Sequence, residues 1–342
     1  MVRKKKDNDY DAWREYAKHY VPNQYAIPFQ TGWVPPPPPV TVPPETYAKA
    51  NPFEPQNFDE FIGQKFAKEI LKIIVDSANK EHRLIPSVLL TGAYGHGKTT
   101  LAKLVVQRHG KRVCIVDGSN VLTQVIPSKE TIYIVDEAHN IPPQLADTYN
   151  ILMDSNNLRM IACTNKPGML PAPFRSRFRS VYLGDYTPEN IKEIIQNAAR
   201  RSETKLSEGA AVALAKRSKL NPRYGLNLLD FMREISVLEE SSDDTIREKD
   251  VLVGVEKLNI DPLGLTELDR KYLSLLKPNG AIGLNYISSA LSLDADTIQD
   301  EIEPYLIQLG LVERTPRGRV AGQNHVISEI TRKILEEAEL PT

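Results

Sequence analysis

The chain has 342 residues, with 43 Lys and Arg against 44 Asp and Glu, for a formal net charge of −1. That length suits two or three domains, and the near-zero charge excludes a bulk polycation, so any nucleic-acid contact must come from local basic patches. With 2 cysteines, Cys114 and Cys163, both in apolar runs, the composition excludes a disulfide framework and reads as buried thiols in a reducing compartment.

The basic start Arg3-Lys4-Lys5-Lys6 is followed by no leader pattern and no long apolar span, so a soluble, cytoplasmic protein without membrane contact is expected. The run Pro35 to Pro39 and the pair Pro43-Pro44 predict extended polyproline and linker. Ahead of them, Tyr10, Trp13, Ala17 and Tyr20 fall at roughly helical spacing. They predict either a short amphipathic helix that docks on an unidentified protein partner or a tail with an incidental aromatic stripe.

From Phe58 the texture turns α/β. The run Ser87 to Leu90 meets a glycine-rich turn, and a helix then extends to about Gly110. Val113 to Val116, Ile132 to Val135 and Met160 to Cys163 are apolar runs bounded by turn and helix signals, as central strands of a doubly covered sheet would be. Residues 187–257 read as helical throughout, with Asp243-Asp244 in a polar loop. From about residue 264 the pattern is three helices, then two short strands around a glycine turn. Ile298, Ile302, Leu306 and Leu309 make one apolar helix face stopped by Gly310.

The segment Gly92-Ala93-Tyr94-Gly95-His96-Gly97-Lys98-Thr99-Thr100 matches G-x-x-x-x-G-K-[ST], with a strand before it and a helix after it. Such glycines let backbone N–H groups curl around an anion, and the helix N-terminus adds its positive end. Lys98 would meet the β- and γ-phosphates of ATP, and the Thr99 hydroxyl would ligate Mg²⁺. Ile132-Tyr133-Ile134-Val135-Asp136-Glu137 ends a strand on two carboxylates. Asp136 is expected to hold the Mg²⁺ through water, as the acidic partner of the Thr99 hydroxyl, and Glu137 to polarise the attacking water. The bland alternative, a helix N-cap, loses weight beside a phosphate loop.

These residues carry a family likeness. From about Phe58 to residue 335 the chain resembles AAA+ ATPases and, within them, the RuvB family of Holliday-junction branch-migration motors. The resemblance implies an α/β fold with a parallel-sheet P-loop core at 56–185, a helical lid at 186–262 and a C-terminal winged-helix domain at 263–342, after an N-terminal extension of 1–55. Phe58-Asp59-Glu60-Phe61-Ile62-Gly63-Gln64 looks like the entry segment near the adenine, with Phe61 and Ile62 as its contacts. Thr164-Asn165 looks like sensor 1, with Asn165 orienting water and γ-phosphate, and Asn221-Pro222-Arg223 looks like sensor 2, with Arg223 reaching the nucleotide. Ala172 to Phe178 resembles the arginine-finger segment, Arg177 being preferred and Arg175 second. A finger completes a neighbour's site, so a homo-oligomeric ring, most simply a hexamer, is implied.

The most specific likeness is C-terminal, in Gly264 to Leu273, Glu303 to Gln308 and Arg314 to Arg319, which resemble the family's winged helix. Asp296, Asp300, Glu301 and Glu303 make the helix that carries Ile298 to Leu309 acidic and unsuited to a DNA groove. Arg314, Arg317 and Arg319, placed at the tip of the wing, are the expected contacts to double-stranded DNA backbone. Two departures stand out. Gln144 to Leu158 leaves little room for the inserted hairpin that meets RuvA in the family, and Ser119 to Lys129 looks trimmed, so a RuvA-type partner is in question. The leading function is therefore a ring-forming ATPase that moves on or remodels duplex DNA. The alternative is a helicase or clamp loader that recruits a replication protein without translocating.

Overall fold

The computed structural model describes residues 51–120, 131–238, 245–276 and 280–322. The proline-rich extension up to residue 50, most of the stretch Ser119 to Lys129, and Asp243-Asp244 lie outside the described residues. The chain divides into two compact units. One runs to Gly184 without the loop Ala93–His96, and the other takes in that loop and everything from Asp185 on.

The first unit is a parallel sheet with helices on both faces. Its elements are α1 (Lys65–Lys80), β1 (Val88–Thr91), α2 (Lys98–His109), β2 (Arg112–Asp117), β3 (Thr131–Asp136), α3 (Pro143–Asp154), β4 (Arg159–Thr164), α4 (Ala172–Arg175) and β5 (Arg179–Tyr182). The strand order is β2-β3-β4-β1-β5, and every pairing is parallel. The apolar runs expected as strands are these strands. Ile132, Ile134, Leu90, Ile161 and Cys163 pack under α1 and α2 on one face. Tyr133, Val135, Leu89, Met160 and Ala162 pack under α3 and the Phe174–Phe178 pair on the other. Alternate residues thus serve two cores, which is why the runs are apolar without a break. The sheet brings the C-terminal ends of β1, β3 and β4 together, where a parallel α/β sheet places its ligand crevice.

The second unit begins with α5 (Pro188–Arg201), entered through a Thr187–Asn190 capping box. It continues through α6 (Glu208–Arg217), α7 (Pro222–Leu238) and α8 (Glu248–Lys257). The expectation that 187–257 is helical throughout needs one correction. Residues β6 (Lys205–Leu206) and β7 (Thr245–Ile246) pair in parallel. Two-residue strands carry too little periodicity to show in a sequence.

The winged helix follows with α9 (Glu267–Leu275), α10 (Leu284–Leu291), α11 (Ala295–Thr297), a π-helical turn Ile298–Ile302, α12 (Glu303–Gln308) and the hairpin β8 (Val312–Thr315) and β9 (Gly318–Ala321). Tyr272, Ile287, Ile298, Ile302 and Leu306 form its core. Pro304 explains the π-turn. The Glu303 N–H bonds Ile298 O, and the next residue has no N–H to offer Gln299 O, so Arg314 Nη2 supplies the missing donor at 2.9 Å. The lid and the winged helix are tied within this unit by a buried ion pair, Lys219 Nζ to Asp269 Oδ2 at 2.5 Å, with the Lys219 ammonium over the Tyr224 ring.

Candidate active site

The loop between β1 and α2 has three glycines at positive φ: Gly92 at 153°, Gly95 at 75° and Gly97 at 86°. Gly97 is the N-cap of α2 and contributes no side-chain cap, so no capping side chain competes with an anion at the helix start. Lys98 is buried and its Nζ donates to Gly92 O at 3.0 Å. Burial pushes its ammonium below the ordinary lysine value, against the pull of the nearby Glu137 and Asp136 carboxylates. Thr99 Oγ1 donates to Asp136 Oδ2 at 2.8 Å, which joins the start of α2 to the end of β3. A hydroxyl and a carboxylate side by side are hard oxygen donors of the kind Mg²⁺ takes, with phosphate and water completing the shell. Thr100 lies one residue further along α2, half-buried.

Glu137 sits just past β3 with φ 45° and ψ 47°, a left-handed conformation uncommon for a residue with a side chain. Gly118, in the turn after β2, lies so close that any Cβ there would collide with Glu137 O. The glycine lets the two strand ends approach and fixes the Glu137 backbone. His139 Nδ1 lies 3.4 Å from Glu137 Oε2 and 3.0 Å from Thr164 Oγ1. Thr164 is wholly buried at the end of β4, with Asn165 next to it. Sequence reading missed Gly118, His139 and the Thr164 hydroxyl as parts of this arrangement. The residue Thr164 and the turn after Glu137 were in view, but the contact spans 25 positions and no spacing rule brings them together.

The entry segment is stitched to the end of β5 by Gln64, whose Nε2 donates to Gly184 O at 2.7 Å and whose Oε1 accepts from Gly184 N at 2.9 Å. Phe61 is not open to a ligand as expected. It is buried in the core under α1, leaving the half-buried Ile62 as the residue of that pair with surface to offer. Arg177 lies at the surface, with Nε and Nη2 forked on Asp154 Oδ1 and Oδ2 at 2.9 and 2.8 Å. Arg175 Nη1 donates to Pro167 O at 3.0 Å.

Within the second unit, the loop tip Ala93–His96 meets the lid. Asn221 Nδ2 donates to Tyr94 O at 2.8 Å, and the Arg223 guanidinium stacks 4.9 Å from the Tyr94 ring centroid and bonds its hydroxyl. Tyr186 Oη donates to His96 O at 3.1 Å. The segment expected as sensor 2 is thus joined to the phosphate-loop tip, and Ala93 is the tip's exposed residue.

The wing corrects an expectation. The three arginines do not share its tip. Arg314 Nε and Arg319 Nε both bond the Glu303 carboxylate, at 2.5 and 2.8 Å, and Tyr272 Oη donates to the same group at 3.0 Å. Glu303, read as part of an acidic surface, is 0% exposed. A carboxylate buried beneath the wing needs cations, and two of the three arginines meet that need. Arg317 remains, exposed in the turn between β8 and β9.

A glycine loop between a central strand and a helix, a hydroxyl–carboxylate pair beside it, a helical lid and a winged helix define a P-loop ATPase of the AAA+ class. A family model described as "Holliday junction DNA helicase RuvB P-loop domain" matches residues 53–154, and one described as "RuvB C-terminal winged helix domain" matches residues 262–327. The Holliday junction branch migration complex subunit RuvB of Campylobacter hominis is 32% identical over 296 residues, covering 78% of this chain and 86% of that protein. The same subunit of Kosmotoga olearia is 32% identical over 298 residues, with 78% and 86% covered. The solved Thermotoga maritima RuvB Holliday junction branch migration motor superposes with a TM-score of 0.74 at 29% identity, covering 85% of this chain and 100% of that one. The chain belongs to the RuvB family.

Proposed function

We propose that this chain is an ATP-hydrolysing motor that moves double-stranded DNA through Holliday junctions during recombination. The carrying observation is the Thr99 Oγ1–Asp136 Oδ2 pair at 2.8 Å, set beside Glu137 and the glycine loop. In this reading the backbone of Gly92 to Thr100 cradles the phosphates of ATP, and Lys98 gives up its bond to Gly92 O to meet them. Thr99 and Asp136 hold Mg²⁺, which when bound neutralises charge on the phosphate oxygens. Glu137 polarises the attacking water, Asn165 orients it, and Arg223 joins from the lid through its contact with Tyr94.

The active form is a homo-oligomeric ring, taken as a hexamer, in which Arg177 of one subunit serves the phosphates of the next. Its pair with Asp154 lies at the surface, where an ion pair is cheap to exchange for a phosphate. Arg175, held by a backbone carbonyl, is the second choice for that role. Arg317 is the phosphate-backbone contact on DNA, a contact without base readout, as a sequence-indifferent motor needs. From Asp136 to Arg159 the chain holds a 3₁₀ turn, Ala138–Asn140, and α3, with no strand between. That short connection supports a partner other than a RuvA-type protein, and the proline-rich N-terminal extension is the proposed place to recruit it.

A synthetic four-way junction tests the motor reading. Parent protein with ATP and Mg²⁺ is expected to convert it to forked duplexes, while Glu137→Gln binds ATP and DNA without conversion. Junctions left intact by parent protein that is hydrolysing ATP would overturn the motor and favour the loader.

A further inference from the structure

Two oxygens from two neighbouring strand ends converge on one nitrogen. His139, in the 3₁₀ turn Ala138–Asn140 after β3, has only 11% of its side chain exposed. Its Nδ1 lies 3.0 Å from Thr164 Oγ1 and 3.4 Å from Glu137 Oε2. Thr164 is fully buried, and its hydroxyl oxygen also accepts the Lys166 N–H at 3.0 Å, so the threonine is a fixed post. A neutral imidazole carries either a proton or a lone pair on Nδ1, and the partners decide which. A lone pair would face the Glu137 carboxylate and repel it. A proton there suits the Thr164 oxygen at 3.0 Å and the carboxylate oxygen 3.4 Å away.

The backbone of Glu137 is set by its left-handed conformation and by the close pass of Gly118. Its side chain still has three rotatable bonds, and His139 Nδ1, 3.4 Å from Oε2, is a polar contact on its carboxylate. We infer that His139 is a positioning residue: it holds the Glu137 carboxylate through Nδ1–H and anchors it to the Thr164 hydroxyl at the end of β4. Because Asn165 follows Thr164, a shift of the β4 end on phosphate binding is passed through His139 to the carboxylate that polarises water. This inference rests on the reading of Glu137 as that carboxylate.

Asparagine and glutamine separate the role from mere packing, since an Asn side chain places its amide nitrogen near Nδ1 and a Gln side chain places it near Nε2. ATP turnover and nucleotide affinity are measured on the full chain for His139→Ala, His139→Asn, His139→Gln, Glu137→Gln and the double variant His139→Ala/Glu137→Gln. His139→Ala is expected to lower kcat about a hundredfold, the scale of a misplaced reacting group, at nearly unchanged KM and ATP affinity. His139→Asn restores most of the loss and His139→Gln does not, while His139→Ala adds no further loss to Glu137→Gln. Parent-like turnover in His139→Ala with Glu137→Gln slow would overturn the positioning role and leave the Glu137 reading standing. Equal loss in the Asn and Gln variants, with ATP affinity intact, would also overturn it. Parent-like turnover in Glu137→Gln would remove the Glu137 reading itself, and the inference with it.

Discussion

Lys98 and Glu137 illustrate how differently two neighbouring residues of one site read from sequence. Lys98 is placed by a contiguous motif whose glycines and helix start are local, so the loop was legible in full. What the motif does not show is that Lys98 is buried and donates to Gly92 O, a bond that must be exchanged for phosphate. Lys98→Ala is expected to weaken ATP binding about ten- to a hundredfold, the worth of a charge-assisted hydrogen bond of ~1.5–3 kcal/mol, read by equilibrium titration with a fluorescent ATP analogue. Unchanged affinity would remove the phosphate-site assignment. Glu137→Gln keeps its shape and loses its basicity. Its turnover should fall by about 10²–10⁴ while ATP affinity holds, a split that steady-state and binding measurements resolve. The environment of Glu137 was not legible, because His139 and Gly118 reach it through turns whose geometry depends on strand pairing. Phe61 shows the reverse failure. Its place in a recognised segment suggested ligand contact, and tertiary packing took the ring into the core.

The wing and the helix before it make the same point among elements. The apolar face Ile298, Ile302, Leu306 and the glycine-centred hairpin were readable from period and turn residues alone. The fate of the charges was not. Glu303 looks like its acidic neighbours in sequence, and only the fold buries it under Arg314 and Arg319. The arginines should therefore divide by experiment. Arg317→Ala is expected to lower affinity for duplexes of every sequence and to reduce the salt slope by about one, with no change in thermal unfolding. Glu303→Ala strands the partly buried Arg319 and the Tyr272 hydroxyl, and should destabilise the winged helix by ~3–5 kcal/mol, seen as lost hydrogen-exchange protection over 303–321. A stable Glu303→Ala protein with weaker DNA binding would reverse that division.

The end of α2 is expected to carry a pH dependence whose sign follows from burial. Burial, then Lys111 and Arg83, hold His109 below its ordinary value, although a helix C-terminus would favour its charge. A base with a depressed folded value takes up protons on unfolding. Its contribution is whole above the unfolded value of about 6.5 and is lost as pH falls through the folded one. Urea midpoints should drop on acidification below that point, and His109→Gln should flatten the drop. An unchanged slope in the variant would assign the effect elsewhere.

For the whole molecule, the passage from α/β texture to helices and then to a terminal hairpin was visible in the pattern, and the resemblance divided it into core, lid and winged helix. The compact units were not, since the lid and winged helix share one, held by the Lys219–Asp269 pair, whose partners are 50 positions apart. Assembly is tested by mixing. Arg177→Ala subunits keep an intact phosphate loop, and Lys98→Ala subunits keep an intact finger. Each alone should be inactive, and mixtures should recover part of the turnover if the finger acts between subunits. No recovery at any ratio would count against that geometry.

The proposal that nucleotide turnover drives DNA movement is tested most directly by steady-state ATP hydrolysis without DNA, with single strands, with duplex and with a four-way junction. Turnover should rise strongly with duplex and junction, and the rise should vanish in Arg317→Ala while the rate without DNA stays. Rates indifferent to all four conditions would contradict a DNA motor gripping through its wing.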